Sequence, residues 1–262
     1  MDNTTFNKER VRDFYTTLYD ENERLNDGCI SHRLVEKCVK KMVLSHYISN
    51  GMKVCEIGAG TGVWVEWLLS KGCVVRAYDL VQKHVDIMNK KFGDNPNFLG
   101  AEICDITEDV VPNEYFDVVL LSGPMYHVGD YQKRIKMLWK CNSILVKDGV
   151  LFVDWLSDLN AVAETILNPD CKNKVSISEN GYIIKAEDNI FSYSNVQEMK
   201  DMLVEAWFCY ETIFPLDLIS RFVKDKVVEF NEQQFDDWCQ LVYHCKDIGC
   251  DISEHNLTIA TK

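Results

Sequence analysis

Val54-Cys55-Glu56-Ile57-Gly58-Ala59-Gly60-Thr61-Gly62 is a short apolar run that carries one acidic residue and closes in three alternating glycines, and Val63-Trp64-Val65-Glu66-Trp67-Leu68-Leu69 follows at once. The first part reads as a buried strand and the last as a helix. Between them, glycine serves a turn that needs positive φ or lets a ligand approach the backbone. A strand, a tight turn and a helix N-terminus form the usual grip of an α/β fold on a nucleotide-like cofactor. The dinucleotide fingerprint G-x-G-x-x-G needs a glycine where Val63 stands, and it gives no role to Glu56. A nicotinamide oxidoreductase is therefore the weakest reading of this loop.

Outward from the loop, apolar runs and helical patterns alternate. Strand one is Lys53 to Ile57, followed by a helix from about Thr61 to Ser70. Cys73 to Tyr78 is a second strand, ending at Asp79, before a helix from Val81 to Phe92. Asn97 to Glu102 is a third strand and Phe116 to Leu121 a fourth. A helix over Gln132 to Val146 and a turn at Lys147-Asp148-Gly149 lead into a fifth strand, Val150 to Trp155. This alternation predicts a doubly wound, Rossmann-like parallel sheet. Right-handed crossovers place the loops after Ile57, Tyr78, Glu102 and Leu121 on one edge, where such sheets bind ligands. After Trp155 the pattern changes to a helix, a hairpin around Glu179-Asn180-Gly181, and two late strands, Trp207 to Ile213 and Leu257 to Thr261. A seven-stranded sheet with an antiparallel last strand fits this end. The expected organisation is one domain over 1–262. It comprises a helical N-terminal lid (1–48), a cofactor-binding core (49–157), cap insertions (158–195 and 216–250) and the end of the sheet (196–215 and 251–262).

The chain has 28 basic and 41 acidic residues, a formal charge of −13. That weighs against a broad nucleic-acid interface or an anionic membrane surface and suits a small or cationic partner. Eleven cysteines without a C-x-x-C pair read as small apolar residues of a reduced, cytoplasmic protein. Cys239, Cys245 and Cys250 match no zinc spacing, so no metal is expected. MDNTTFNKER lacks a signal-peptide core.

Asp79 can accept from both hydroxyls of a ribose, and Leu80 beside it offers an apolar face. Asp105 can accept from an adenine amino group, with the backbone of Cys104 and Ile106 reading the ring edge. On the fourth loop, Ser122-Gly123-Pro124-Met125-Tyr126-His127-Val128 turns rigidly at Gly-Pro and brings Tyr126 and His127 to the crevice. His127 is suited to accept a proton near neutral pH or to position a substrate. Tyr15 and Tyr19 share a helix face that either closes over the cofactor or packs on the core. His255 faces the substrate side or serves the structure.

The chain resembles the class I S-adenosylmethionine-dependent methyltransferases, and within them the bacterial small-molecule type with a G-P-L-Y-H-L loop, here Gly123-Pro124-Met125-Tyr126-His127-Val128. The likeness includes the Tyr15 to Leu25 segment, E-x-G-x-G-x-G at Glu56 to Gly62, Tyr78-Asp79-Leu80, Asp105, the Leu145 to Val150 turn and Ser253-Glu254-His255-Asn256. The resemblance implies that Glu56, Gly58, Gly60 and Gly62 hold the methionine moiety, with Ala59, Thr61 and Ser122 also expected to bind the cofactor. Asp79, Leu80, Cys104, Asp105 and Ile106 would take ribose and adenine. Tyr15, Tyr126 and His127 would line the substrate side. Met125 replaces the usual leucine, and the strand-three motif is loose. The function it implies is methyl transfer to an O, N or S atom of a small molecule, releasing S-adenosylhomocysteine, by a monomer or homodimer. The alternatives are a protein or peptide methyltransferase and a non-catalytic S-adenosylmethionine-binding protein.

Overall fold

A computed structural model describes residues 8–18, 30–109, 115–168, 175–177, 183–185 and 189–262. Helix α1 (Lys8–Asp13) runs into a π-helical turn (Phe14–Leu18), and α2 spans His32–Tyr47. The core follows as β1 (Lys53–Ile57), α3 (Val63–Ser70), β2 (Val74–Asp79), α4 (Gln82–Phe92), β3 (Phe98–Ile103), β4 (Phe116–Leu121), α5 (Tyr131–Ile144) and β5 (Leu145–Leu156). The remainder is α6 (Asp158–Leu167), β6 (Val175–Ile177), β7 (Ile183–Lys185), α7 (Val196–Glu205), β8 (Cys209–Pro215), α8 (Lys224–Val227), α9 (Glu232–His244) and β9 (His255–Thr261). Tyr19, the 20–25 segment, and the hairpin turn with Glu179-Asn180-Gly181 and Tyr182 lie outside the described residues.

Seven strands form one sheet in the order β3-β2-β1-β4-β5-β9-β8. Strands β1 to β5 pair in parallel, and β9 is antiparallel to both its neighbours. The expected Rossmann-like sheet with its antiparallel last strand is thus present. The chain reverses its direction of winding between β1 and β4, the switch point at which such sheets open a crevice.

Both faces of the sheet are covered, so its strands are apolar without alternation. Val54, Val118, Leu120 and Phe152 point to the face covered by α2, α3, α4 and α9. Their neighbours Cys55, Val119, Leu121 and Val153 point to the face covered by α5 and α7, as the two-residue period of a strand requires. Among the described residues, six cysteines (Cys55, Cys73, Cys104, Cys141, Cys239 and Cys250) are buried and free, which is their use as small apolar residues.

One boundary changes, and the packing of one later segment is now visible. The fifth strand begins at Leu145 rather than Val150. Leu145 already pairs with Phe116, and the Lys147-Asp148-Gly149 turn, with Asp148 at φ +62°, sits inside the pairing as an irregularity before Val118 meets Val150. In the 216–250 segment, α9 spaces Phe235, Cys239 and Val242 on one face and buries them in the core that α2 enters. That segment flanks the sheet; none of its residues lines the crevice described below.

Candidate active site

A cleft opens at the carboxyl edge of the parallel strands and encloses about 1110 Å³, its open mouth included. The ends of successive strands line it: Glu56, Gly58 and Gly60 after β1, Asp79 and Leu80 after β2, Cys104, Asp105 and Ile106 after β3, and Ser122, Tyr126 and His127 after β4. Tyr15 and Val11 reach it from the N-terminal helix. Ala59, Thr61 and Gly62 shape the glycine turn without lining the cleft.

Asp79 is buried at the end of β2 and organises the turn. Its Oδ2 accepts the Gly60 N–H at 2.7 Å, and its Oδ1 accepts the Val81 N–H at 2.8 Å and lies 3.1 Å from His84 Nδ1. Each carboxylate oxygen offers two lone pairs, so Oδ2 keeps capacity for a further donor. Asp105 accepts from the backbone and hydroxyl of Thr107 through Oδ1, while Oδ2 meets Lys8 Nζ of α1 at 2.7 Å. Burial pushes its carboxyl up, but Lys8 and Thr107 outweigh that and hold it below the ordinary aspartate range.

The glycines have reasons the sequence alone did not reveal. A Cβ on Gly58 would stand 2.2 Å from the Ser122 carbonyl oxygen and 2.7 Å from Pro124 Cδ. One on Gly62 would strike Phe92 and Met88 of α4. Both positions serve the packing of protein on protein, in addition to their positive φ.

On the other side, His127 is 8 % exposed and both its ring nitrogens have contacts. Nδ1 lies 3.3 Å from the Ile190 carbonyl oxygen and Nε2 lies 2.9 Å from Tyr15 Oη. A carbonyl can only accept, so in the neutral ring Nδ1 carries the proton and Nε2 accepts from Tyr15. Phe191 and Tyr126 complete the aromatic surround. Replacing Tyr15 with Phe keeps the edge-to-face ring contact (5.3 Å) and deletes one hydrogen bond, worth about 1 kcal/mol. Proteolysis within 8–18 is therefore expected to quicken by about fivefold; an unchanged rate, read by mass spectrometry, would show that the bond contributes nothing to holding α1.

Sequence reasoning missed a second set of lining residues: Glu36 and Lys40 on α2 and Asp154 on β5. Lys40 Nζ is 2.5 Å from Asp154 Oδ2, 3.3 Å from Ser122 Oγ and 4.7 Å above the Trp64 ring. His255, the first residue of β9, joins this set in the lining. Sheet order separates the two halves of the cleft: β2 and β3 carry one, β5 and β9 the other, with β1 and β4 between them.

This strand order and cleft are those of a class I S-adenosylmethionine-dependent methyltransferase fold, and the chain belongs to the methyltransferase domain family, whose model matches residues 30–208. It is 29% identical over 108 residues to the ubiquinone biosynthesis O-methyltransferase of Actinobacillus pleuropneumoniae serotype 5b, a stretch that covers 39% of this chain and 44% of that protein. The chain thus spans under half the length of the curated relatives it matches. Among solved structures, the magnesium protoporphyrin IX methyltransferase of Synechocystis PCC 6803, with bound S-adenosylhomocysteine, superposes with a TM-score of 0.61 at 13% identity over 98% of this chain and 100% of that one. An S-adenosylmethionine-dependent methyltransferase from Mesorhizobium loti gives 0.59 at 14% identity over 87% and 100%. These likenesses define the fold.

Proposed function

We propose that the protein uses S-adenosylmethionine to methylate an O, N or S atom of a small-molecule acceptor by in-line displacement, releasing S-adenosylhomocysteine. The observation that carries the reading is one cleft holding the strand-end carboxylates Asp79 and Asp105 on one side and the Tyr126-His127 loop on the other. The donor set fits a nucleoside joined to an amino acid. Asp79 suits a ribose diol, Leu80 an adenine face, and Asp105 with the backbone of Cys104 and Ile106 the adenine edge. Glu56 suits an ammonium group and Lys40 a carboxylate. Bound there, the cofactor supplies an electrophilic sulfonium methyl group. The chain's own contribution is alignment and exclusion of water. Tyr15 and Val11 cover the cleft, Tyr126 and His127 border the acceptor, and Ser122 joins the two loops.

The G-P-x-Y-H loop and the N-terminal helix over the cleft support the bacterial small-molecule type, with 1–48 as lid and 158–195 as cap. The acidic charge weighs against a nucleic-acid partner, the buried free cysteines favour a reducing, cytoplasmic setting, and the proposed state is a monomer or homodimer. No helix among the described residues is long and apolar enough to cross a membrane. The name of the Actinobacillus relative favours oxygen as the acceptor atom. A protein or peptide substrate, or binding without turnover, is the alternative.

Calorimetry with S-adenosylhomocysteine is expected to show one site, and Asp79→Ala to weaken it about 10- to 100-fold through lost hydrogen bonds to a charged group. Methyl-labelled S-adenosylmethionine with a size-fractionated cell extract then separates the acceptor classes. Label in the low-mass fraction supports the small-molecule reading, and label only in protein or RNA overturns it.

A further inference from the structure

We propose that His84 is a positioning residue: it leaves Asp79 a single acceptor position toward the cleft, so the cofactor's ribose is read at one of its two hydroxyls. This rests on the methyl-transfer reading above and narrows its ribose contact.

The connection from strand to helix brings the two side chains together. Asp79 closes β2 and α4 opens at Gln82. The cap position of α4 is Val81, whose side chain accepts no hydrogen bond. Asp79 serves the helix start in its place, taking the Val81 N–H on Oδ1 at 2.8 Å. His84, on the first turn of α4, reaches back to the same oxygen with Nδ1 3.1 Å away. Both side chains are buried, and the Tyr15 ring meets His84 edge-on at 6.3 Å. Packing therefore holds the imidazole against the carboxylate.

An ionised carboxylate only accepts, so His84 Nδ1 carries a proton and donates it whether the ring is neutral or charged. Oδ1 thus receives two N–H donors, as many as its lone pairs. Oδ2 receives one, the Gly60 N–H at 2.7 Å, and keeps one position. Asp79 and Gly60 both line the cleft, so that position lies beside the glycine turn. A diol gripped through both carboxylate oxygens would need Oδ1 as well, and Val81 and His84 fill it. The Val81 bond belongs to the backbone and is present whatever the side chains. The His84 bond depends on one side chain, which makes His84 the residue that decides between one hydroxyl and two.

Calorimetry with S-adenosylhomocysteine and its 2′-deoxy and 3′-deoxy analogues tests this on the intact protein. In wild type, one analogue is expected to bind about 10- to 100-fold more weakly than the parent and the other within about threefold, as for the loss of one hydrogen bond to a charged group. His84→Phe keeps a ring against Tyr15 and opens Oδ1 to the second hydroxyl. The two analogues should then lose affinity within about threefold of each other. His84→Asn, whose Nδ2 can stand in for Nδ1, should restore the wild-type ratio. A merely structural role would weaken all three ligands together and leave the ratio unmoved. An unchanged ratio in His84→Phe, or in His84→Leu if the first does not fold, overturns the role of His84. Equal penalties for both analogues in wild type, or none for either, overturn the single acceptor position without any variant and leave the methyl-transfer reading standing. A wild-type protein that binds no S-adenosylhomocysteine overturns that reading and this inference with it.

Discussion

Gly58→Ala is expected to lower the melting temperature by about 10 °C and to abolish tight binding of S-adenosylhomocysteine. Two costs meet at this position. The backbone φ of +81° disfavours any side chain, at about 1–2 kcal/mol. The added Cβ would also overlap the Ser122 carbonyl oxygen and the Pro124 ring, where the β1 loop touches the β4 loop. Neither neighbour is the free end of a flexible side chain, so the overlap adds about 1–3 kcal/mol. At about 2–4 °C per kcal/mol for a chain of this size, the sum gives the stated shift. Two controls apportion it. Gly51 has φ +85° and nothing within 4 Å of a built Cβ, so Gly51→Ala isolates the backbone cost. Gly62→Ala meets Phe92 and Met88, side chains able to give way, and should fall between the two. Thermal melts of the three variants test the order; a Gly58→Ala melt equal to that of Gly51→Ala would rule out the close approach of the two loops.

The same glycines show how far the sequence could be read. The E-x-G-x-G-x-G turn identified the strand, turn and helix because such spacing reports backbone conformation, a local property. It did not report what each absent side chain would strike, because Ser122 and Met88 come from other elements. Asp79, Asp105 and His127 were legible as a cleft because Asp79 ends a strand and the other two lie on the loops that follow one, and a parallel sheet puts all those loops on one edge. Lys40 was not, since it lies in the amphipathic α2 and its partner is 114 residues away, with no pattern to connect them. Asp154 was hidden inside the apolar run of β5, where one acidic residue looks like an interruption. What the 216–250 helix covers was not legible for a related reason: Phe235, Cys239 and Val242 mark an apolar face but not the surface it packs on.

Lys40→Met is expected to cost about 3–5 kcal/mol, the usual penalty for removing one member of a buried ion pair. The side chains of Lys40 and Asp154 are 4% and 11% exposed, so the substitution strands a carboxylate with little water to solvate it. Ser122 Oγ loses its contact with the ammonium group, and the Trp64 ring loses its cation. The double variant Lys40→Met, Asp154→Leu should recover most of that stability, because two desolvated charges replaced by apolar groups of similar volume are often neutral or better. Urea unfolding of wild type, both single variants and the double variant closes a double-mutant cycle and measures the coupling directly. The recovered fold then separates structure from binding. If Lys40 holds the carboxylate of the cofactor, the double variant will be stable yet bind S-adenosylhomocysteine at least tenfold more weakly than wild type, in keeping with the loss of one charge-assisted hydrogen bond. A stable double variant with unchanged affinity would make the pair a strut between α2 and β5, and would leave Glu56 to hold the amino-acid end of the cofactor without it.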